Sequence, residues 1–220
     1  MLLRHMAITS ALLGAFAVVG TSLVALTEND TRDLIAQNER DSLRRKLNEV
    51  IPTGEYDNSI TTDTVEVTSK PLLGSARPVT VYRARKQGEP VAAVITAVAP
   101  DGYTGAIRLL VAVRCQDESI MGVRVIEHRE TPGLGDWIDS ERSDWIGHFA
   151  GHSLSNPNDL GWRVEKDGGI FDQFTGATIT PRAVVKAVHN SLKYFKAHKD
   201  ELFQTEKAAA GAAGVDHGTE

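Results

Sequence analysis

The sequence predicts an α+β protein: an N-terminal transmembrane helix, then a domain in which an antiparallel sheet meander is packed with helices. Residues 6–27 form a 22-residue stretch with no charged or strongly polar side chain. Short β-branched runs follow one another between Val65 and Glu127, and apolar residues return at helical spacing after Pro181. At 220 residues, 41% hydrophobic and 24% charged, the chain has the size of one ordinary domain plus additional segments, because domains usually run to about 100–200 residues. A large multidomain enzyme is excluded.

The first element matches the roughly 20 apolar residues that cross a bilayer as helix. Arg4 and His5 precede it, whereas Glu28, Asp30 and Asp33 follow it. The positive-inside bias therefore assigns residues 1–5 to the cytoplasm, 6–27 to the anchor and 28–204 to an exported domain. A cleaved signal peptide would carry a shorter apolar region of about 7–15 residues, so an uncleaved single-pass anchor is expected.

Between residues 31 and 50, Leu34, Ile35, Leu43, Leu47 and Val50 recur among charges. That spacing suits an amphipathic helix, which Pro52 and Gly54 would stop and which continues from the anchor or caps the domain. The texture then changes to β-branched runs at 65–67, 79–83, 91–98, 106–113 and 120–126. Pro100-Asp101-Gly102 and Gln116-Asp117-Glu118 divide them at hairpin distances, hence the meander. Residues 131–169 are rich in Gly, Trp and His, with a short helix or turn at 139–149; such loop-rich segments carried on a sheet are where ligands are usually met. A last helix is predicted from Pro181 with Thr180 as N-cap, presenting Val184, Val185, Val188, Leu192 and Phe195. The Ala/Gly run at 205–220 reads as a disordered tail.

The charge balance narrows the function. With 24 Lys+Arg against 29 Asp+Glu and no basic block, the phosphate-neutralising surface of a nucleic-acid binder is missing. The single cysteine, Cys115, cannot close an intrachain disulfide or supply clustered thiolates, so any redox chemistry needs a bound cofactor. Lack of disulfides is compatible with export, since a domain of this size can bury enough apolar surface without them. His148 and His152, four apart, lack a third ligand and are read as exposed; His128 and Glu130 do not form His-Glu-x-x-His. Ser153 and Ser155 have no nucleophile elbow or matched acid. Trp137, Trp145 and Trp162 either stack on a ligand or fill a core, and Cys115 is read as structural.

Chemistry concentrates at Asp172-Gln173-Phe174-Thr175-Gly176-Ala177-Thr178-Ile179-Thr180-Pro181. Hydroxyls at 175, 178 and 180 surround a glycine, and the next element is a helix whose first amides have no intrachain acceptor, a place that favours an anionic group. On spacing alone the same run could be a strand-to-helix turn with hydroxyls serving only as caps. The run resembles the flavin-attachment motif Asp-x-x-(Ser/Thr)-Gly-Ala-(Ser/Thr) of the covalent FMN-binding subunits of ion-translocating electron-transport complexes. That resemblance implies Thr178 as the residue esterified to the FMN phosphate by a separate flavin transferase, with Asp172, Thr175, Gly176 and Ala177 as recognition or contact positions.

A second run, Glu127-His128-Arg129-Glu130-Thr131-Pro132-Gly133-Leu134-Gly135, is similar to the family's His-x-Glu-Thr-Pro-Gly-Leu-Gly loop beside the flavin. It implies Glu130, Thr131, Gly133, Leu134 and Gly135 as flavin-site residues. Physically the loop suits a flat ring: glycines let backbone amides approach, Pro132 stiffens the turn and Leu134 offers an apolar surface. With the anchor, Gly102-Tyr103-x-Gly105 and Gly161-Trp162-Arg163-Val164, the resemblance covers nearly the whole chain except the tail, and its wording is nearest to the G subunits of Rnf/Rsx-type complexes.

The resemblance implies a membrane-anchored flavoprotein of the bacterial inner membrane, with its main domain periplasmic. It would relay electrons through covalent FMN in a complex that exchanges them between NADH and ferredoxin and moves ions. Partners would be the other membrane, iron–sulfur and flavin subunits of that complex, and the flavin transferase during maturation. The isolated chain would have no substrate-turnover site, no catalytic residue of its own and no metal. Two alternatives stay open at this point: the equivalent C subunit of the sodium-translocating NADH:quinone reductase, and a flavin-free exported binding or scaffold module.

Overall fold

A computed structural model describes residues 2–204; the predicted tail at 205–220 lies outside the described residues. The chain divides into two compact units, Met1–Arg45 and Lys46–Glu220. The anchor and the following amphipathic segment are one element, α1 (Leu2–Val50). In the first unit the segment long and apolar enough to cross a membrane is Arg4–Ala25, two residues nearer the N-terminus than expected. At about 1.5 Å per residue it reaches roughly 33 Å, enough for a hydrocarbon core of about 30 Å. Its Leu13, Phe16 and Val24 are exposed, an arrangement suited to lipid rather than to water. Leu34 and Ile35, expected on a buried stripe, are exposed as well. The stripe is realised only at Leu47 and Val50.

In the second unit the last turn of α1 leads through buried Ile51 to the sheet. Five strands, β1 (Thr64–Ser69), β2 (Ser75–Lys86), β3 (Glu89–Ala99), β4 (Ile107–Arg114) and β5 (Ile120–Glu127), pair antiparallel in sequence order. The expected meander is present. A four-residue helix, α2 (Lys70–Leu73), separates β1 from β2. Alternation puts Val81, Ile95, Val111 and Val123 in one core with the C-terminal helix. The opposite face is also closed, for Val94, Leu110 and Ala112 are fully buried there. On that side Val50 of α1 lies against Gly122 of β5, and Lys46 donates to the Val125 carbonyl at 2.7 Å. Burial on both faces accounts for the nearly unbroken apolar texture of β3 and β4.

The helix α3 (Ile179–Phe203) presents Val184, Val185, Val188, Leu192 and Phe195 to the core, as their spacing predicts. Its start corrects the sequence reading. The N-cap is Thr178, not Thr180, and the first helical residue is Ile179, not Pro181. Thr180 is drawn into the first turn because its hydroxyl donates to the buried carboxylate of Glu130 at 2.5 Å, a charge-assisted partner stronger than a cap amide. Pro181 is still tolerated, since first-turn N–H groups have no helical acceptor. At the other end Arg83 and Arg85 donate to the carbonyls of Leu202 and Phe203 and share the carboxylate of Asp63.

The helix or turn expected at 139–149 is a 3-10 turn at Trp145–Phe149, and a second 3-10 turn, Gly135–Ile138, precedes the expected range. Trp145, Phe149, Trp162 and Phe171 pack ring against ring beneath the loops. Trp145 and Trp162 therefore fill core, whereas Trp137 stays half exposed. His148 is exposed, but His152 is not: it is half-buried, edge-on to Trp162 and Phe171, with Nδ1 buried and unpartnered. Among the described residues no group of three His, Cys, Asp or Glu is placed to hold a metal. Cys115 lies just past β4 rather than inside a strand. Burial pushes its thiol up to about 11, so it stays protonated and inert, in keeping with a structural role.

Candidate functional site

The two motif segments meet at the start of α3. After β5 the chain turns through His128, whose Nδ1 accepts the Glu130 amide at 3.2 Å, and Glu130 enters the interior with 5% of its surface exposed. One carboxylate oxygen takes the Thr180 hydroxyl, fifty residues on in sequence; the other accepts the Thr104 amide at 3.1 Å. Thr104 also donates its hydroxyl to the Arg129 carbonyl. Three segments are thus tied at one carboxylate: the turn after β3, the loop after β5 and the first turn of α3. Gly135 makes that possible, since a Cβ there would lie 2.7 Å from a Glu130 carboxylate oxygen and 3.0 Å from the Thr180 hydroxyl.

The loop between these points is shaped by Gly133, whose φ of +78° is left-handed. Its amide donates to Asp136 at 2.7 Å and its carbonyl accepts the Trp137 indole at 3.3 Å. This turn aims Leu134 toward the second segment, where its Cδ2 would be 4.0 Å from a Cβ on Gly176. The second segment is held from below, because the buried Trp145 indole donates to the Asp172 carbonyl at 2.9 Å.

Between the two segments lies an open cleft of about 120 Å³. Of the residues predicted for a ligand site, Glu130, Thr131, Leu134 and Gly135 line it from one side and Gly176, Ala177 and Thr178 from the other. Asp172, Thr175 and Gly133 do not line it: Asp172 and Thr175 are exposed beside it, and Gly133 sets the turn behind it. Tyr103, Ile179 and Thr180 also line the cleft, and sequence reasoning marks none of them as a site residue. Tyr103, Leu134 and Ile179 are 68%, 47% and 46% exposed, an unusual density of open apolar surface around one cleft. The available signal for Tyr103 is its position inside the Gly-Tyr-x-Gly turn; Thr180 is marked only as one of three hydroxyls in the 172–181 run and as a cap, because its bond to Glu130 is nonlocal.

Electrostatically the cleft joins a helix start to apolar lining. The α3 start offers first-turn amides and the positive end of a 25-residue helix. Thr178 caps this helix through its backbone alone and makes no side-chain cap bond. Its hydroxyl is therefore free for other chemistry, whereas a Ser or Thr serving only as a cap would spend it on an N2 or N3 amide. The same cleft is lined by the apolar surfaces of Tyr103, Leu134 and Ile179. A flat aromatic ring carrying a phosphate would find apolar contacts in Tyr103, Leu134 and Ile179 and amide donors at the helix start.

Comparison with known proteins is decisive for the family. Residues 102–193 match the family model of the FMN-binding domain, and residues 1–50 match that of the RnfG N-terminal region. The G subunit of the ion-translocating oxidoreductase complex of Pseudomonas aeruginosa is 49% identical over 206 residues, covering 94% of this chain and 96% of the relative. The chain belongs to the family of these G subunits. The G subunit of Pseudoalteromonas atlantica is 50% identical over 192 residues, or 87% of this chain and 89% of that one. Among solved structures, the crystal structure of Shewanella oneidensis NqrC is similar at 26% identity and a TM-score of 0.45, over 68% of this chain and 72% of that chain.

As a member of that family, the chain carries an FMN-binding domain and is read as a G subunit in preference to the C subunit of the sodium-translocating enzyme. Both motif segments fall inside the domain matched at 102–193, and so does Tyr103. The domain match also speaks against a flavin-free scaffold module. The match at 1–50 spans the apolar part of α1, which fits membrane anchoring of this subunit.

Proposed function

We propose that this subunit relays electrons through FMN joined by a phosphoester to the Thr178 hydroxyl, as one station of an ion-translocating complex. The observation that carries the reading is the convergence of the two motif segments on one cleft, with Thr178 at the start of α3 and its hydroxyl unspent on capping. When bound, FMN supplies reversible uptake and release of one or two electrons. The chain's own residues do the rest. The first-turn amides of α3 stabilise the phosphodiester charge. Tyr103, Leu134 and Ile179 cover the ring with apolar surface, which excludes water and raises the strength of nearby charges. Glu130, Thr131, Gly135, Gly176 and Ala177 form the remaining wall, while Gly133 shapes the loop from behind. A covalent tether prevents loss of the cofactor where it is scarce.

The domain is periplasmic, the N-terminus cytoplasmic, and the helix Arg4–Ala25 remains uncleaved in the inner membrane. Electrons arrive from and leave to the iron–sulfur and flavin subunits of a complex that works between NADH and ferredoxin. A reporter active only outside the cytoplasm, fused after Glu220, is expected to be active and membrane-bound; activity of a cytoplasm-only reporter at the same position would reverse the orientation.

Intact-mass analysis of the full chain, produced with and without a flavin transferase, tests the attachment. One FMN-phosphoryl increment is expected only with the transferase, and equal masses would end the proposal. Asp172 is assigned to the stretch that the transferase reads. It is exposed, and it is held through its backbone carbonyl rather than its carboxylate. Asp172→Ala should therefore lower the flavin content of newly made protein severalfold without changing its melting temperature, as read by in-gel fluorescence and thermal denaturation. Unchanged flavin content would remove Asp172 from the recognition stretch.

A further inference from the structure

We propose that Glu130 is a positioning residue: its buried carboxylate, held by the Thr180 hydroxyl on one oxygen and the Thr104 amide on the other, sets the start of α3 and hence Thr178, and places a negative charge against the flavin. The inference rests on the attachment of FMN at Thr178. Its own basis is the environment of the carboxylate. A buried Glu is ordinarily paired with a cation, because desolvating a lone charge is costly. Glu130 has no ion pair with any Lys, Arg or His among the described residues, and only hydrogen-bond donors meet it. An apolar side chain of similar volume would fill the same space at lower cost. The fold nevertheless makes room for the carboxylate, since side chains at Gly102 and Gly135 would each press on it. The group faces the cleft beside Thr178 and Thr180, so its charge acts where the ring is expected to lie.

Two consequences follow for the chain itself. Thr180 is two residues after Thr178, and the bond to Glu130 pins the intervening backbone to the loop after β5. Thr178 is then presented in one orientation to the transferase. The fixed negative charge opposes reduction of the flavin, which adds negative charge, and so holds the midpoint potential down.

The test uses the full chain produced with a flavin transferase, reading flavin yield, midpoint potential and the melting temperature of the flavin-free chain. Glu130→Gln can keep both contacts, with its carbonyl toward Thr104 and its amide donating to the Thr180 oxygen. Flavin should still load, and the potential should rise. Thr180→Val removes the link and should cut flavin yield severalfold, while Thr180→Ser restores it. A wild-type potential in Glu130→Gln, or a wild-type yield in Thr180→Val, overturns the inference. So does a flavin loss in Glu130→Gln that merely follows a lower melting temperature of the flavin-free chain. Failure of the attachment reading looks different, because the wild-type chain would then itself carry no flavin; failure of this inference leaves wild type fluorescent.

Discussion

Thr178→Ala is expected to give a folded, membrane-bound chain that carries no flavin. Replacing an N-cap threonine by alanine ordinarily costs about 1 kcal/mol, because the cap hydroxyl no longer satisfies a first-turn amide. Here that bond is absent from the start, so the melting temperature of the flavin-free chain should hardly move. The effect falls on attachment alone. Without the Oγ there is no atom to carry the phosphoester, and the ultraviolet-excited fluorescence of the band on a denaturing gel should vanish. Thr178→Ser retains the oxygen but loses the methyl that restricts χ1, so partial flavinylation is expected. Fluorescence persisting in Thr178→Ala would show that Thr175 or Thr180 carries the group. Of the two, Thr180 is the worse candidate, because it is 1% exposed and its hydroxyl is engaged by Glu130.

Gly133→Val should leave the ester in place and disturb the surroundings of the ring. From sequence, a side chain at this position would either displace the backbone from the ring or strain the turn. The structure selects strain. A Cβ at Gly133 meets nothing within 4 Å, yet the residue sits at φ +78°, where a β-branched side chain is strongly disfavoured. The cost is of the order of 1–3 kcal/mol, against a typical domain stability of about 5–15 kcal/mol, so the domain remains folded. Relief of that strain means turning the peptide, which breaks the bonds to Asp136 and Trp137 and moves Leu134 and Gly135 on the cleft wall. The visible spectrum and the midpoint potential should both shift, with Gly133→Ala giving the smaller change. A Gly133→Val chain with wild-type flavin content, spectrum and potential would detach this loop from the flavin site.

What can be read in advance is local. The 22-residue apolar run, the five β-branched runs with their turn residues, and the α3 stripe from Val184 to Phe195 each state their element through period and composition, because those are consequences of neighbouring residues in one segment. The two motif segments are legible as a proposed flavin site by resemblance alone, since hydroxyls and glycines at those spacings also serve as turns and caps. The start of α3 is displaced by two residues from its sequence expectation for a nonlocal reason: Thr180 is a good cap by type, but Glu130 claims its hydroxyl from fifty residues away. The same kind of reason hides Ile179 from a sequence reading, and it assigns His152 and Trp162 to an aromatic core. The amphipathic stripe of α1 is likewise shorter than its pattern suggests, because periodicity marks which side is apolar and not how far along the helix a partner surface extends. The elements, their order and the residues able to carry the chemistry are properties of single segments and so are legible without a fold. Which hydroxyl is free and which is bound is settled by packing, because a hydroxyl's partner is set by the distance to a buried carboxylate, and that distance exists only once the sheet, the loop and α3 are packed together.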